Sequence, residues 1–600
     1  MRVAAMRIPS GYLPYIFGKN HAQVTLNFGG KNIYRFESDG SVVSEKNDFF
    51  LDDIFDGNIS LVSCIVGGNG GGKTTLLRLL VYDANCGFII ENSDGTYEEI
   101  TDLEKFHRIY CTPYLHHSIL ANVGNNGKEL SKVALLKMDN HGDGGQLDDF
   151  LAVHHSENSK RWIKFNNFYR KNQLSKSSIP IFKRVELSLN HFENNVVMPD
   201  SFHQTSYQFR PIIVSLFKKI EVERKEVEVE HFLSKGDDQN LKDKSHFLVR
   251  FEYALYETVI GKFVSILESR GNRYLNEGYL AEDYEDQISQ RDVRSAVEWF
   301  LHNSGVYQGE NRYNFSQNLE ILNLIDYVRS LIIPENLTDN WLIINISEEE
   351  ALRVIELSDA LMNSFVNEWF TYDKKPMFGY LPLIFISSGE QQFLNLFSVL
   401  YNHAENIKNG VSIDLHSFNS LEYIEKDILL LLDESDNAFH PQWKKEYIKN
   451  LRSIIPAIFE GFNIQIIITS HDPLTLSDFP KNNVVFLEKG AAGTIVGDSQ
   501  YKHTFGANIS DLLKDSFFLN DGQIGAFVAD KIDQTISEIH KGDISAENRQ
   551  RLERIITALD EPIIKFKLAE MLSESLGDSQ FEKELLDNEI TRLQEKRKFI

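Results

Sequence analysis

The chain has 600 residues and a formal net charge of -25, enough length for about three or four domains of ~150 residues each. So acidic a balance excludes a simple nucleic-acid coat protein, and any DNA contact has to come from a local patch. The three cysteines, Cys64, Cys86 and Cys111, lack zinc-site spacing and read as free thiols of a reducing cytoplasm.

No apolar run approaches the ~20 residues of a membrane span. Val3–Met6, between Arg2 and Arg7, is too short for a signal peptide. A cytoplasmic protein with no membrane partner is the expectation.

Residues 1–66 read as the opening strands of a mixed sheet. Ala22–Phe28 alternates at period two, Gly29-Gly30 follows as a turn, and Asn32–Phe36 alternates again, which predicts a hairpin. Tyr12, Tyr15, Phe17 and Tyr34 are the aromatics nearby that a base could stack on. Ile59–Val66 is an apolar run of strand length.

Gly67-Gly68-Asn69-Gly70-Gly71-Gly72-Lys73-Thr74-Thr75 comes next, and Leu76–Leu80 then starts a helix. Gly67, Gly72, Lys73 and Thr74 fill the G-x-x-x-x-G-K-[ST] spacing. Glycines let consecutive N–H groups turn inward onto phosphate oxygens, and the helix adds its positive end. Lys73 is placed to reach β- and γ-phosphates, and the Thr74 hydroxyl to ligand Mg²⁺.

Gly87–Glu91 and Arg108–Cys111 read as short strands. Asn122–Gly127 and Asn140–Gly145 are loop-like. His116-His117 and His154-His155 lie in loop-like sequence and read as surface pairs. Glu221–Glu230 alternates charge with valine; it suits an exposed strand or a solvated helix, and its valine content favours the strand. Leu248, Phe251, Leu255 and Val259, then Leu319, Ile321, Leu322, Ile325 and Val328, recur at helical spacing without a sustained heptad. The region is therefore a mainly helical insertion and not a coiled-coil arm. Lys160-Arg161-Trp162-Ile163-Lys164 and Lys183-Arg184 are its local basic clusters, compatible with phosphate contact or with a solvated face.

A strand signal returns at Tyr380–Phe385. Ile386-Ser387-Ser388-Gly389-Glu390 then opens an apolar-periodic helix. Alone, this run is a helix cap; it also aims N–H groups at an anion. Ile428–Leu432 is a buried-strand run ending in Asp433-Glu434, and ligands of open α/β sheets collect at the carboxyl ends of strands. Asp433 suits Mg²⁺, and Glu434 suits orienting or deprotonating a water. Asn463–Thr469 is another such run, leading into Ser470-His471-Asp472. The final stretch holds one strand near Val484–Leu487 and then helices, the last with an apolar stripe at Leu585, Leu586, Ile590 and Leu593.

Taken in order, these motifs resemble the head of ABC-type ATPases over roughly residues 20–110 and 376–490. The glycine loop, Gly67 to Thr74, matches Walker A. Ile386–Glu390 matches the signature motif, with Glu at its end as in the SMC and RecF-like branch. Asp433 and Glu434 match Walker B and the catalytic base. Asn437–His440 match the D-loop, and His471 matches the switch histidine.

The resemblance implies an α/β P-loop NTPase head, a mixed sheet flanked by helices. It divides the chain into an N-terminal lobe (1–110), a mainly helical insertion (111–375), a C-terminal lobe (376–490) and a helical C-terminal region (491–600). It implies ATP and Mg²⁺ as cofactors, with Thr74 and Asp433 on the metal and Lys73, Glu434 and His471 as catalytic residues. ATP would be held by Gly67, Gly68, Asn69, Gly70, Gly71, Gly72, Lys73, Thr74 and Thr75 of one subunit and capped by Ser387 and Gly389 of the other. A homodimer, or a higher oligomer, through ATP-bound heads follows. The chain departs from the pattern at the Q-loop, where no glutamine stands around Tyr110–Pro113.

About 310 residues separate Lys73 from Ser387. An insertion of that length without coiled coil resembles the AAA-labelled and RecF-like prokaryotic ATPases, among them the ATPase subunits of Septu-type anti-phage defence systems. That reading implies a sensor or scaffold working with a separate nuclease or toxin effector. The alternative is a RecF-like DNA-repair ATPase that binds DNA directly; a third is a nucleotide-gated clamp with little turnover.

Overall fold

A computed structural model of the chain describes all residues except 38, 52–53, 56, 83–84, 115–126, 141–146, 173, 175–178, 191–209, 235–238, 269–277, 280, 309–310, 366–375, 410–424, 500–501, 516–524, 543 and 598–600. Among these exceptions are His116-His117 and most of the two Asn/Gly-rich loop stretches.

The organising layer is a seven-stranded sheet in the order Thr494–Val496, Val484–Lys489, Ile59–Gly67, Asn463–Thr469, Asp427–Asp433, Phe106–Cys111, Gly127–Glu129. Every neighbouring pair is parallel except the first, which is antiparallel. Parallel strands need both faces covered, which is why their sequences are continuous apolar runs. Side chains alternate between the faces: Ile428, Leu430 and Leu432 join one buried core while Leu429 and Leu431 join the other. All five are fully buried, each stabilising by roughly 1.5–3 kcal/mol relative to exposure.

The N-terminal strands form a separate four-stranded antiparallel sheet, Val24–Asn27, Arg2–Ile8, Gly87–Glu91, Tyr97–Ile100. Gln465, fully buried on the large sheet, ties the two together. Its Oε1 accepts from the Val3 N–H at 2.6 Å and its Nε2 donates to the Val3 carbonyl at 2.8 Å. This occurs where the Arg2–Ile8 strand shifts register, so a side chain serves backbone groups that the ladder releases.

The predicted hairpin does not form. Val24–Asn27 pairs with Arg2–Ile8, and Asn32–Phe36 pairs with Val42–Lys46. The Asn27 side chain instead bridges the two predicted arms. It accepts from the Tyr34 N–H at 2.8 Å and donates to the Tyr34 carbonyl at 2.9 Å.

The strand preference for Glu221–Glu230 is also corrected, since the segment lies inside the helix Arg210–Ser234. Lys219–Glu223, Glu221–Lys225 and Arg224–Glu228 pair at helical i,i+4 spacing, at 3.3, 2.6 and 2.9 Å. A strand would hold such pairs roughly 13 Å apart. The apolar spacing around Phe251, Leu255 and Val259 falls on the helix Gln239–Glu268, where all three are fully buried.

The region 111–375 carries strands as well as helices. Arg184–Leu189 pairs with Ile343–Ser347 on one side and with Phe378–Pro382 on the other. The strand expected to open the C-terminal lobe thus belongs to a sheet shared with the insertion. By compactness the chain divides into two units, Met1–Phe517 and Phe518–Ile600. The second is a group of helices around Ile539, Leu552, Ile556, Leu568, Leu572 and Leu585. Leu585 belongs to that core, while Leu586 and Ile590 of the same stripe are exposed.

His107 and His403 join the sheet to the helix Ser388–Lys408, with Nε2 atoms 3.0 Å apart. Burial pushes His107 down to about 4, so the pair is neutral at physiological pH. The three cysteines are buried, and burial raises Cys86 to about 11 and Cys111 to about 12, which keeps these thiols unreactive. Among the described residues, no helix is long and apolar enough to cross a membrane.

Candidate functional site

The site stands at the carboxyl ends of the central parallel strands. Ile59–Gly67 delivers the glycine loop, and the helix Lys73–Leu79 starts immediately after it. Gly72 has a φ of 96°, which favours glycine, and a Cβ there would sit 2.8 Å from Ile16. Gly67 is fixed by closeness instead, since a Cβ would meet the Leu487 carbonyl at 2.7 Å. At Gly68 and Gly70 a Cβ would meet nothing within 4 Å. The loop is therefore locked underneath and open above.

The Lys73 ammonium is buried and turns back on its own loop, 3.1 Å from the Gly67 carbonyl. It lies 3.9 Å from Glu434 Oε1. Burial lowers its pKa, opposed by the nearby Glu434 and Asp433. A desolvated cation with few fixed partners is a ready hydrogen-bond donor to phosphate oxygens.

Asp433 ends its strand almost wholly buried and takes three hydroxyl donors. Thr469 Oγ1 donates at 2.6 Å and Thr74 Oγ1 at 3.2 Å, both to Oδ1. The Tyr110 hydroxyl donates to Oδ2 at 2.9 Å. Thr74 and Asp433 are thus already adjacent, as a shared Mg²⁺ would need. Among the described residues no cluster of three or more His, Cys, Asp or Glu is arranged to hold a metal. A pair of oxygens completed by phosphate and water suits Mg²⁺, which keeps much of its own hydration.

Glu434 follows at a φ of 47°, a left-handed conformation that costs a non-glycine residue roughly 1–2 kcal/mol. The turn is held by the Glu434 N–H, which donates to Thr469 Oγ1 at 2.9 Å and to its carbonyl at 3.2 Å. His471 Nε2 lies 2.9 Å from Glu434 Oε1, and the Tyr114 hydroxyl donates to Oε2 at 3.0 Å. The His471 hydrogen bond, with Tyr114 and Lys73 adding to it, holds the Glu434 carboxyl below its usual range against the opposing effect of burial.

Asp436, two residues on, is buried and accepts from Ser470 Oγ at 2.6 Å and Thr475 Oγ1 at 2.7 Å. It locks the turn to the next strand end. His440 caps the following helix, Pro441–Ile458, through Nδ1.

Ser387 stands apart from this cluster. Its hydroxyl caps the helix Ser388–Lys408 in a reciprocal box with Glu390. Among the described residues no hydrogen bond or ion pair joins it to Lys73, Thr74, Asp433, Glu434 or His471. Gly389 lies against the turn after Glu434, where a Cβ would be 2.9 Å from the Ala438 carbonyl.

Tyr110, Tyr114 and Thr469 were not singled out from sequence. The signal available was position alone: each falls at, or just past, the carboxyl end of a parallel strand.

Two other readings are corrected. His154 is buried in the helix Leu147–Lys171, with Nδ1 2.8 Å from Asp139, while His155 is exposed as expected. The basic cluster Lys160–Lys164 is internally compensated. Lys160 pairs with Glu157 and Lys164 with Asp359, both at 2.7 Å, and buried Arg161 pairs with Asp139. Trp162 packs on the core and donates to Asn395 at 2.8 Å.

The fold and site define an α/β protein whose mixed seven-stranded sheet, flanked by helices, gathers a glycine loop, two carboxylates and a histidine at the carboxyl ends of its central strands. No protein-family model matches the chain.

Proposed function

We propose that the chain is an ATP-binding and ATP-hydrolysing enzyme with an ABC/SMC-like P-loop head. The observation that carries the reading is the convergence of Lys73, Thr74, Asp433, Glu434 and His471 at the ends of three parallel strands. ATP with Mg²⁺ supplies the scissile phosphoanhydride and the cation that neutralises its charge. Lys73 and the loop N–H groups bind the phosphates, and Thr74 with Asp433 holds the metal. Glu434 orients a water and takes its proton, and His471 steadies both Glu434 and the terminal phosphate.

Of the four candidate aromatics, Phe17 and Tyr34 are buried and Tyr12 is partly covered, whereas Tyr15 is 74% exposed. Its neighbour Ile16 lies under Gly72. Tyr15 is therefore the residue best placed to stack on the base.

The exposed Ser387 and the partly covered Gly389, neither in described contact with Lys73, support a composite site closed by a second head. The long, non-coiled insertion supports the role of sensor or scaffold in a prokaryotic anti-phage complex with a separate nuclease or toxin effector. Direct DNA binding in the manner of repair ATPases loses its best local support, because the Lys160–Lys164 charges are spent on internal pairs.

The test is the steady-state ATPase rate of the purified chain, with and without duplex DNA ends, beside Glu434→Gln. Turnover abolished in the variant with ATP binding retained supports the assignment. Equal turnover in both sinks it. A several-fold stimulation by DNA ends would restore the direct-binding alternative.

A further inference from the structure

Glu434 is held by three side chains, and two of them already have a task in the hydrolysis reading. Lys73 and His471 both act on Oε1 and both are assigned to phosphate. The third, Tyr114, takes Oε2 alone at 3.0 Å. When Lys73 and His471 turn to phosphate, the phenol is, among the described residues, the side-chain contact left to fix the carboxylate.

Tyr114 is itself held. The Asn437 amide donates to the Tyr114 oxygen, so the hydroxyl proton is directed toward Glu434. A donor feeding a donor strengthens the second bond. Asn437 lies in the turn whose next residue, Ala438, brings its carbonyl close to Gly389 at the start of the helix Ser388–Lys408. A path of close approaches therefore runs from that helix end, through the Asn437-Ala438 turn and Tyr114, to the carboxylate. Tyr114 also stands three residues past the strand Phe106–Cys111, next to Tyr110–Pro113, where the resemblance implies a glutamine and none stands.

We propose that Tyr114 is a positioning residue for Glu434, set by Asn437, and that it couples the carboxylate's orientation to the turn under the Ser388–Lys408 helix. The proposal rests on the hydrolysis reading. It adds that the chain uses a phenol to aim its base.

The experiment compares kcat and KM for Mg-ATP in the full chain carrying Tyr114→Phe, Asn437→Ala, both together, and Tyr114→Gln. A misaimed base loses rate and not ground-state binding, so Tyr114→Phe should lower kcat about tenfold with KM within about twofold. Asn437→Ala should lower kcat less, and the double variant should be no slower than Tyr114→Phe, because the two act in series. Tyr114→Gln, which restores an N–H donor, should recover part of the loss.

Wild-type kcat in Tyr114→Phe, a loss confined to KM, or losses that multiply in the double variant would each overturn the proposal while leaving the hydrolysis reading intact. If Tyr114→Phe fails to fold, Asn437→Ala decides: unchanged kcat overturns the proposal and a reduced kcat supports it. An inactive wild type would instead bring down the hydrolysis reading, and the proposal with it.

Discussion

Thr74 Oγ1 lies 3.2 Å from Asp433 Oδ1, a hydrogen bond between residues 359 positions apart. Thr74 opens the helix that follows the strand Ile59–Gly67, which does not neighbour Asp427–Asp433; Asn463–Thr469 runs between the two strands, and its Thr469 donates to the same carboxylate oxygen. In the proposed hydrolysis reading, this pair would hold Mg²⁺. Thr74→Ala should raise the Mg²⁺ concentration for half-maximal turnover about tenfold, and Asp433→Asn should abolish turnover. Magnesium titrations of the two variants check this, and a Thr74→Ala curve that overlays the wild type would remove Thr74 from the metal.

Ser387 makes no described contact with the Lys73 cluster, and under the proposed composite site a second subunit would bring it there. Lys73→Ala and Ser387→Arg should each lose activity. Mixed dimers of the two retain one intact composite site and should regain part of it. ATPase assays on mixed dimers, isolated through two different affinity tags, provide the measurement. No recovery would count against the shared site, unless the two sites must fire together.

Gly389 and Gly68 offer a contrast in packing. An alanine Cβ at Gly389 would press on the Ala438 carbonyl at 2.9 Å, and backbone cannot step aside cheaply; at Gly68 it would meet nothing within 4 Å. Gly389→Ala should destabilise by about 1–3 kcal/mol, the usual cost of overpacking, while Gly68→Ala leaves stability unchanged. Urea unfolding of the two variants distinguishes them, and equal midpoints would mean that the turn yields freely.

Asp478 has its pKa raised to about 6 by burial. Its folded value lies above its unfolded one, so ionisation costs stability as pH rises through that interval, and the cost is absent below about pH 4. Asp478→Asn should therefore melt about 1–3 °C above wild type at pH 7.5 and level with it near pH 4. Melting curves at the two pH values settle the sign; a variant less stable at pH 7.5 would show that the carboxylate is favourably paired.

Much of the site could be read without coordinates, because its chemistry is carried by local runs. The spacing of Gly67–Thr75 predicts a glycine turn between a strand and a helix, which the structure has, and the apolar runs before Asp433 and His471 predict buried strands, which it also has. Contacts between runs were less legible. The hairpin failed because period-two alternation marks a strand without naming its neighbour. The Glu221–Glu230 helix was missed because valine content outweighed charge pairs four apart. Lys160–Lys164 reads in sequence as a phosphate contact or a solvated face, because Glu157, Asp139 and Asp359 reach it from one helical turn, another helix and a distant one.

What the sequence alone determined is the set of candidate polar groups and the strand ends that bear them, since both follow from short-range pattern. What tertiary structure decided is how those groups meet. The strand order puts Asn463–Thr469 between the other two, which makes Thr469 the clamp on Asp433 and on the Glu434 backbone. It also swings Tyr114 onto Glu434 across 320 positions. Such contacts depend on which strands pair and where the chain re-enters the sheet. Those choices minimise the free energy of the whole core, and no single segment records them.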